Sequence, residues 1–175
     1  APDPHDRHGT FVVAYDGDEP VGCARGVLLA ESFPHEDLLG RYLGAGRIDL
    51  PLARIMTVNS VAVLPDWRGR RIVRSRAGGE VTVATRILEL LHRRFREAGV
   101  LVSLLTTGPR LAETFFRAAG YVALGPPFRL PSYHVPLVDM GAWLADSPLS
   151  RNDGESAAGA SVRLWLESRG RFSSG

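Results

Sequence analysis

The sequence predicts an α/β domain built on a mixed sheet, and three observations carry that prediction. Two apolar stretches, Phe11–Tyr15 and Val21–Leu29, flank the turn-forming run Asp16-Gly17-Asp18-Glu19-Pro20, so the chain opens with a β-hairpin. Residues 80–98 carry Ala84, Ile87, Leu88, Leu91, Phe95 and Ala98 at a 3.6-residue period, with Arg86, Glu89, Arg93 and Arg96 off that stripe. A second helix, opened by Thr107-Gly108-Pro109 and closed by Gly120, follows one further apolar strand. At 175 residues the chain suits one domain with a tail.

Each element has a local reason. In the hairpin's second strand Gly22, Ala24 and Gly26 leave one side open for close packing. Residues 30–55 are irregular, with a short helix expected over Glu36–Leu43 that ends on Gly44. Met56–Leu64 is a β-branched run closed by Pro65, the pattern of a buried strand. The long helix gains an i,i+4 pair from Glu89 and Arg93 and a C-terminal cap from Gly99. Val100–Leu105, Tyr121–Leu124 and Tyr133–Val138 are the remaining strands. Residues 1–10 read as a lead-in, 11–145 as the domain and 146–175 as linker and tail. Within the tail, Val162, Leu164, Trp165 and Leu166 fit a helix and a strand equally well.

Composition narrows the function. No apolar run approaches the roughly 18 residues of a membrane span, and no hydrophobic leader opens the sequence, so the expectation is a cytoplasmic protein. The lone Cys23 excludes an internal disulfide and a multi-cysteine metal site, and no third ligand accompanies His5 and His8. All 21 basic residues are arginine, which reads as a composition bias. Five of them crowd into Arg68–Arg76 with only Trp67 for company, a local anion site and not a nucleic-acid face.

The run Ser60-Val61-Ala62-Val63-Leu64-Pro65-Asp66-Trp67-Arg68-Gly69-Arg70-Arg71-Ile72, followed by a long amphipathic helix, resembles the acyl-donor motif of the GNAT superfamily of acyltransferases. Pro109–Tyr121 is similar to that superfamily's last helix and the strand after it. The resemblance covers residues 11–140. It implies a mixed, mostly antiparallel sheet with a V-shaped splay and flanking helices, here lacking the first strand and helix. It also implies an acyl-CoA, acetyl-CoA or acyl-phosphopantetheine co-substrate, held by Val61, Ala62 and Val63 through backbone groups and by Arg68, Gly69, Arg70 and Arg71 through the loop. The family's glycine loop is broken at Arg71 and Val73, and Phe116 stands where a general-acid tyrosine is common. These departures resemble the N-acyl amino acid and acyl-homoserine lactone synthases, or polyketide-synthase GNAT-like domains.

The expected activity is acyl transfer from acyl-CoA or an acyl carrier protein to a small-molecule acceptor, an amine, by direct attack in a ternary complex. No metal is called for, and a homodimer is compatible. His134 and Tyr121 are the candidate acid–base residues, with Tyr133, Glu31 and Glu113 behind them. Thr57 and Asn59 precede the binding strand and can orient an acceptor. Cys23 lies in an apolar strand with no basic neighbour to activate it. The alternative is a catalytically silent domain of the same fold that binds an acyl carrier or a partner protein.

Overall fold

The computed structural model describes residues 4–31, 50–74 and 79–144. Gly17, at φ +58°, closes the hairpin between β1 (Gly9–Asp16) and β2 (Glu19–Leu28), a turn that favours a residue without Cβ. β2 pairs antiparallel with β3 (Ile55–Val63), and β3 pairs parallel with β6 (Val102–Thr107). β8 (Val138–Trp143) lies antiparallel to β6, and the two-residue β7 (Val122–Ala123) closes the far edge. The six strands run in the order β1-β2-β3-β6-β8-β7. A separate ribbon of β4 (Arg71–Arg74) and β5 (Glu80–Thr82) connects β3 to helix α1 (Val83–Glu97).

Helix α1 lies across one face of the sheet because its stripe is apolar and the sheet beneath is small. Ile87, Leu88, Leu91 and Phe95 form one core with Val21, Ala24, Met56, Val58, Leu105 and Met140. A Cβ on Gly26 would sit 2.6 Å from the Phe95 ring and 2.7 Å from Met56 Cε, so glycine sets how closely helix and hairpin approach. Gly22 and Ala24 lie beneath the same helix, as the small stripe of β2 requires. Thr82 caps α1 by accepting from Thr85 N–H at 3.2 Å, and Gly99 ends it at φ +82°. Gly108 precedes α2 (Pro109–Leu111), which runs on as a π turn over Ala112–Phe116. The opposite face carries a second core of Leu29, Ile55, Val102, Leu104 and Trp143, covered by Leu124, Phe128 and Leu130 from the loop between β7 and β8.

Several expectations are corrected. The α-helix begins at Val83 rather than 80, because Glu80–Thr82 is taken up as a strand against Arg71–Arg74. Glu89 pairs with Arg86 at 2.8 Å and Arg93 with Glu97 at 3.9 Å, so the expected Glu89–Arg93 pair does not form. Tyr133–Val138 is mostly loop, and the strand lies five residues on, at Val138–Trp143. Tyr133, His134 and Val135 are exposed, whereas all six residues of β8 are buried. Cys23 is half-buried on the sheet face away from α1. The helix expected at Glu36–Leu43 and the tail from residue 145 lie outside the described residues.

Candidate active site

Parallel pairing between β3 and β6 lasts only three steps, Ile55–Val102, Met56–Ser103 and Thr57–Leu104. Beyond it, β3 continues to Val63 paired only with β2, and Leu105–Thr107 pair only with β8. The cause is a β-bulge. Gly26 opposes Val58 while Arg25 opposes Ser60, so Asn59 is one residue too many on β3, directly past the last shared pair. Such an insertion bends and twists its strand. Thr57 Oγ1 donates to Asn59 Oδ1 at 2.7 Å and ties the bulge to the strand below it.

Ladder alternation identifies the groups that face this gap. Leu64 N–H donates to Val21 O at 3.0 Å, which makes Leu64–Val21 a hydrogen-bonded pair and Cys23–Ala62 the next. Gly22–Val63 and Ala24–Val61 are therefore the intervening pairs, whose β3 N–H and C=O groups point away from β2. Val63 O meets Arg68 Nε at 2.9 Å, in keeping with this alternation. The side chains of Val61 and Val63 pack toward the α1 core, while Ala62 is exposed on the other face.

The chain leaves β3 through a 3₁₀ turn, Pro65–Trp67, and Gly69 takes φ +76°. Arg70 lies over the Trp67 ring, 5.8 Å from its centroid. Arg71 opens β4 opposite Thr82, and its side chain lies outside the described residues. Arg68, Gly69 and Arg70 thus cluster at the open end of the gap, while Arg71 leads into the ribbon that ends at the N-cap of α1.

On the face away from α1, polar side chains stand on both banks where the strands part. β3 supplies Thr57 and Asn59. β6 and β8 supply Thr106 and Asp139, whose Oδ1 accepts from Thr106 Oγ1 at 2.8 Å. Asp139 is only 8% exposed, although it sits in the strand Val-Asp-Met-Gly-Ala-Trp. Sequence reasoning missed this pair; an acidic residue inside an apolar run was the available signal.

Tyr121 lies elsewhere. Its hydroxyl is within 2.7 Å of His92 Nε2 and 2.6 Å of Ser103 Oγ, and all three residues are fully buried under α1. Phe116 packs edge-on against the Tyr121 ring at 5.5 Å. Burial raises the Tyr121 hydroxyl well above the usual phenol value, partly offset by the Ser103 hydrogen bond. Burial lowers His92 to about 3, and its Nδ1 finds no hydrogen-bond partner among the described residues. The hydroxyl the sequence offers as an acid is thus a core hydroxyl. His134 is exposed in the β7–β8 loop, as is Tyr133. Glu31 is exposed beyond β2, and Glu113 is exposed and paired with Arg117. Neither candidate acid–base residue stands on a strand bank of the gap.

No protein-family model matches the sequence, and a search of curated proteins returns no match. Solved structures do match. BjaI, a CoA-dependent acyl-homoserine lactone synthase solved with SAM and isopentyl-CoA, aligns with a TM-score of 0.59 at 14% identity, over 93% of this chain and 78% of its own. FeeM, an N-acyl amino acid synthase from uncultured soil microbes, aligns with a TM-score of 0.59 at 13% identity, over 79% and 74%. MesI, a further CoA-dependent acyl-homoserine lactone synthase, aligns with a TM-score of 0.59 at 17% identity, over 84% and 71%. The chain has the GNAT fold. Between β3 and α1 the chain carries the β4–β5 ribbon, and Phe116 packs into the core.

Proposed function

We propose that the chain is an acyltransferase that moves an acyl group from acyl-CoA, or from acyl-phosphopantetheine on a carrier protein, to a small-molecule amine by direct attack in a ternary complex. The parting of β3 from β6 is the observation that carries this reading. A pantetheine arm is an extended chain with amide groups, and the gap-facing backbone of Val61 and Val63 pairs with such a chain as an added strand. A gap-facing N–H also polarises the thioester carbonyl, where negative charge develops during attack. The donor phosphate lies against Arg68, Gly69 and Arg70 at the open end. The similar structures BjaI and MesI are those of CoA-dependent enzymes, which favours CoA as donor.

In the reaction the amine nitrogen forms a bond to the thioester carbon, the C–S bond breaks, and the nitrogen's surplus proton goes to the departing sulfur. A thiol near pKa ~8.5 needs no strong acid at neutral pH. Proton exchange with solvent falls to His134, the exposed member of the two acid–base candidates, and Tyr121 contributes structure.

The test is calorimetry of CoA and of a phosphopantetheine-bearing carrier protein at one moderate salt concentration, followed by thioester turnover with a panel of amines. Micromolar binding of CoA with amine-dependent release of thiol supports the reading, and binding of the carrier alone selects the carrier as donor. Binding of neither overturns the reading and favours the silent-domain alternative in its partner-protein form.

A further inference from the structure

We propose that the outer edge of β1 is a homodimer interface, at which two copies of this chain join their sheets by antiparallel β1–β1 pairing about a two-fold axis at Val12. This holds whether or not the chain is an acyltransferase.

Among the described residues β1 pairs with β2 alone, so one side of its ladder is open. Cys23 directs its backbone groups at Ala62 of β3, which turns those of Gly22 and Ala24 toward Ala14 and Val12. The N–H and C=O groups of Gly9, Phe11, Val13 and Tyr15 therefore point outward from the sheet. Natural sheets blunt such an edge with charge, proline or a bulge on the edge strand. Gly9–Tyr15 holds no charged residue and no proline, and the irregularity of the hairpin lies in β2, where Val21 is surplus. Val12 and Ala14 pack under α1. On the other face Phe11, Val13 and Tyr15 form an apolar stripe, 49%, 40% and 61% exposed.

A second copy is the strand that matches this edge throughout. Pairing about Val12 sets Phe11 opposite Val13 of the partner subunit and Gly9 opposite Tyr15 of the partner subunit. All four residues carry outward backbone groups, so each pair is hydrogen-bonded, and the axis repeats it. The two apolar stripes then run together on one face. Charge matches as well. Asp6 is ion-paired with Arg25, so Arg7 and His8 make the start of β1 basic, whereas the turn at its other end carries Asp16, Asp18 and Glu19. Antiparallel pairing lays each basic end beside the other copy's acidic turn; parallel pairing of two copies would set like ends together.

The test is sedimentation equilibrium of the full chain and of Val13→Pro, with thermal melting as the check on folding. The Val13 N–H faces outward, so its loss spares the β1–β2 ladder but removes a donor from the edge, where the proline ring also obstructs an approaching strand. The wild type is expected to dimerise with a roughly micromolar dissociation constant, and Val13→Pro to weaken it at least about tenfold. A wild type that is monomeric at ~100 μM, or a dimer that folded Val13→Pro retains, overturns the proposal. Amide hydrogen exchange on the wild type decides the matter without a variant if proline unfolds the hairpin. Exchange at Phe11 and Val13 is expected to slow as concentration rises from the monomeric to the dimeric range, with Val12 unchanged. Exchange at Phe11 and Val13 that ignores concentration overturns the proposal: if fast, the edge is bare, and if slow, another part of the chain covers it.

Discussion

The Tyr121 hydroxyl serves Ser103 and His92 at once, in a core where water cannot substitute for either. Tyr121→Phe keeps the ring against Phe116 but strands two buried polar groups, and it is expected to cost about 1–3 kcal/mol in urea unfolding. Donor binding is expected to be unaffected; a loss of CoA affinity without a loss of stability would return Tyr121 to the chemistry. His92 adds a pH dependence whose sign follows from its burial. Its folded value of about 3 lies below the unfolded value of 6.5, so the unfolded chain binds the extra proton as pH falls between them. Its stability contribution is complete above pH 6.5 and is lost at up to ~1.4 kcal/mol per pH unit down toward pH 3. His92→Gln should flatten that acid limb in a series of urea titrations. Gly26→Ala belongs here too. The new methyl would meet the Phe95 ring and Met56 Cε at under 3 Å, so a loss of about 1–3 kcal/mol is expected by the same measurement.

Helix α1 shows how much of an element its own residues announce. The apolar stripe Ile87, Leu88, Leu91 and Phe95 is legible in the sequence, as is the glycine that ends it, because both depend on local periodicity. The helix start is not, because the three residues before Val83 are claimed by a strand partner some ten residues earlier in sequence. Replacement of the cap by Thr82→Ala should cost about 1 kcal/mol, read by thermal melting. A larger loss would mean that the ribbon melts with the cap. β8 lies five residues beyond the stretch that reads as a strand, for a related reason. Asp139 and Gly141 interrupt its apolar run, and the pairing with β6 and β7 makes Val138–Trp143 a strand. The site follows the same divide. Val61–Val63 and the arginine turn stand in one contiguous run, whereas the Asp139 bank is assembled by a ladder between distant segments. His92, polar on an otherwise apolar stripe, shows its role only where Tyr121 and Ser103 come to meet it.

At the scale of the molecule, helix α1 and the π turn after α2 contribute to the core on one face, a second core lies on the other, and the gap opens where β3 and β6 part. Donor binding as an added strand is expected to slow hydrogen exchange at the Val61 and Val63 amides and to leave Ala62, already bonded to β2, unchanged; uniform slowing along β3 would speak instead for general stiffening. The gap itself is the work of a single surplus residue. Val58 and Val61 already face the same core, and Asn59 and Ser60 share the one position opposite Arg25. A chain shortened by Asn59 alone would keep every side chain on its present side and run β3 straight, free to zip further along β6. That shorter protein would have more backbone hydrogen bonds and nowhere for an arm to enter: the better sheet would be the idle one.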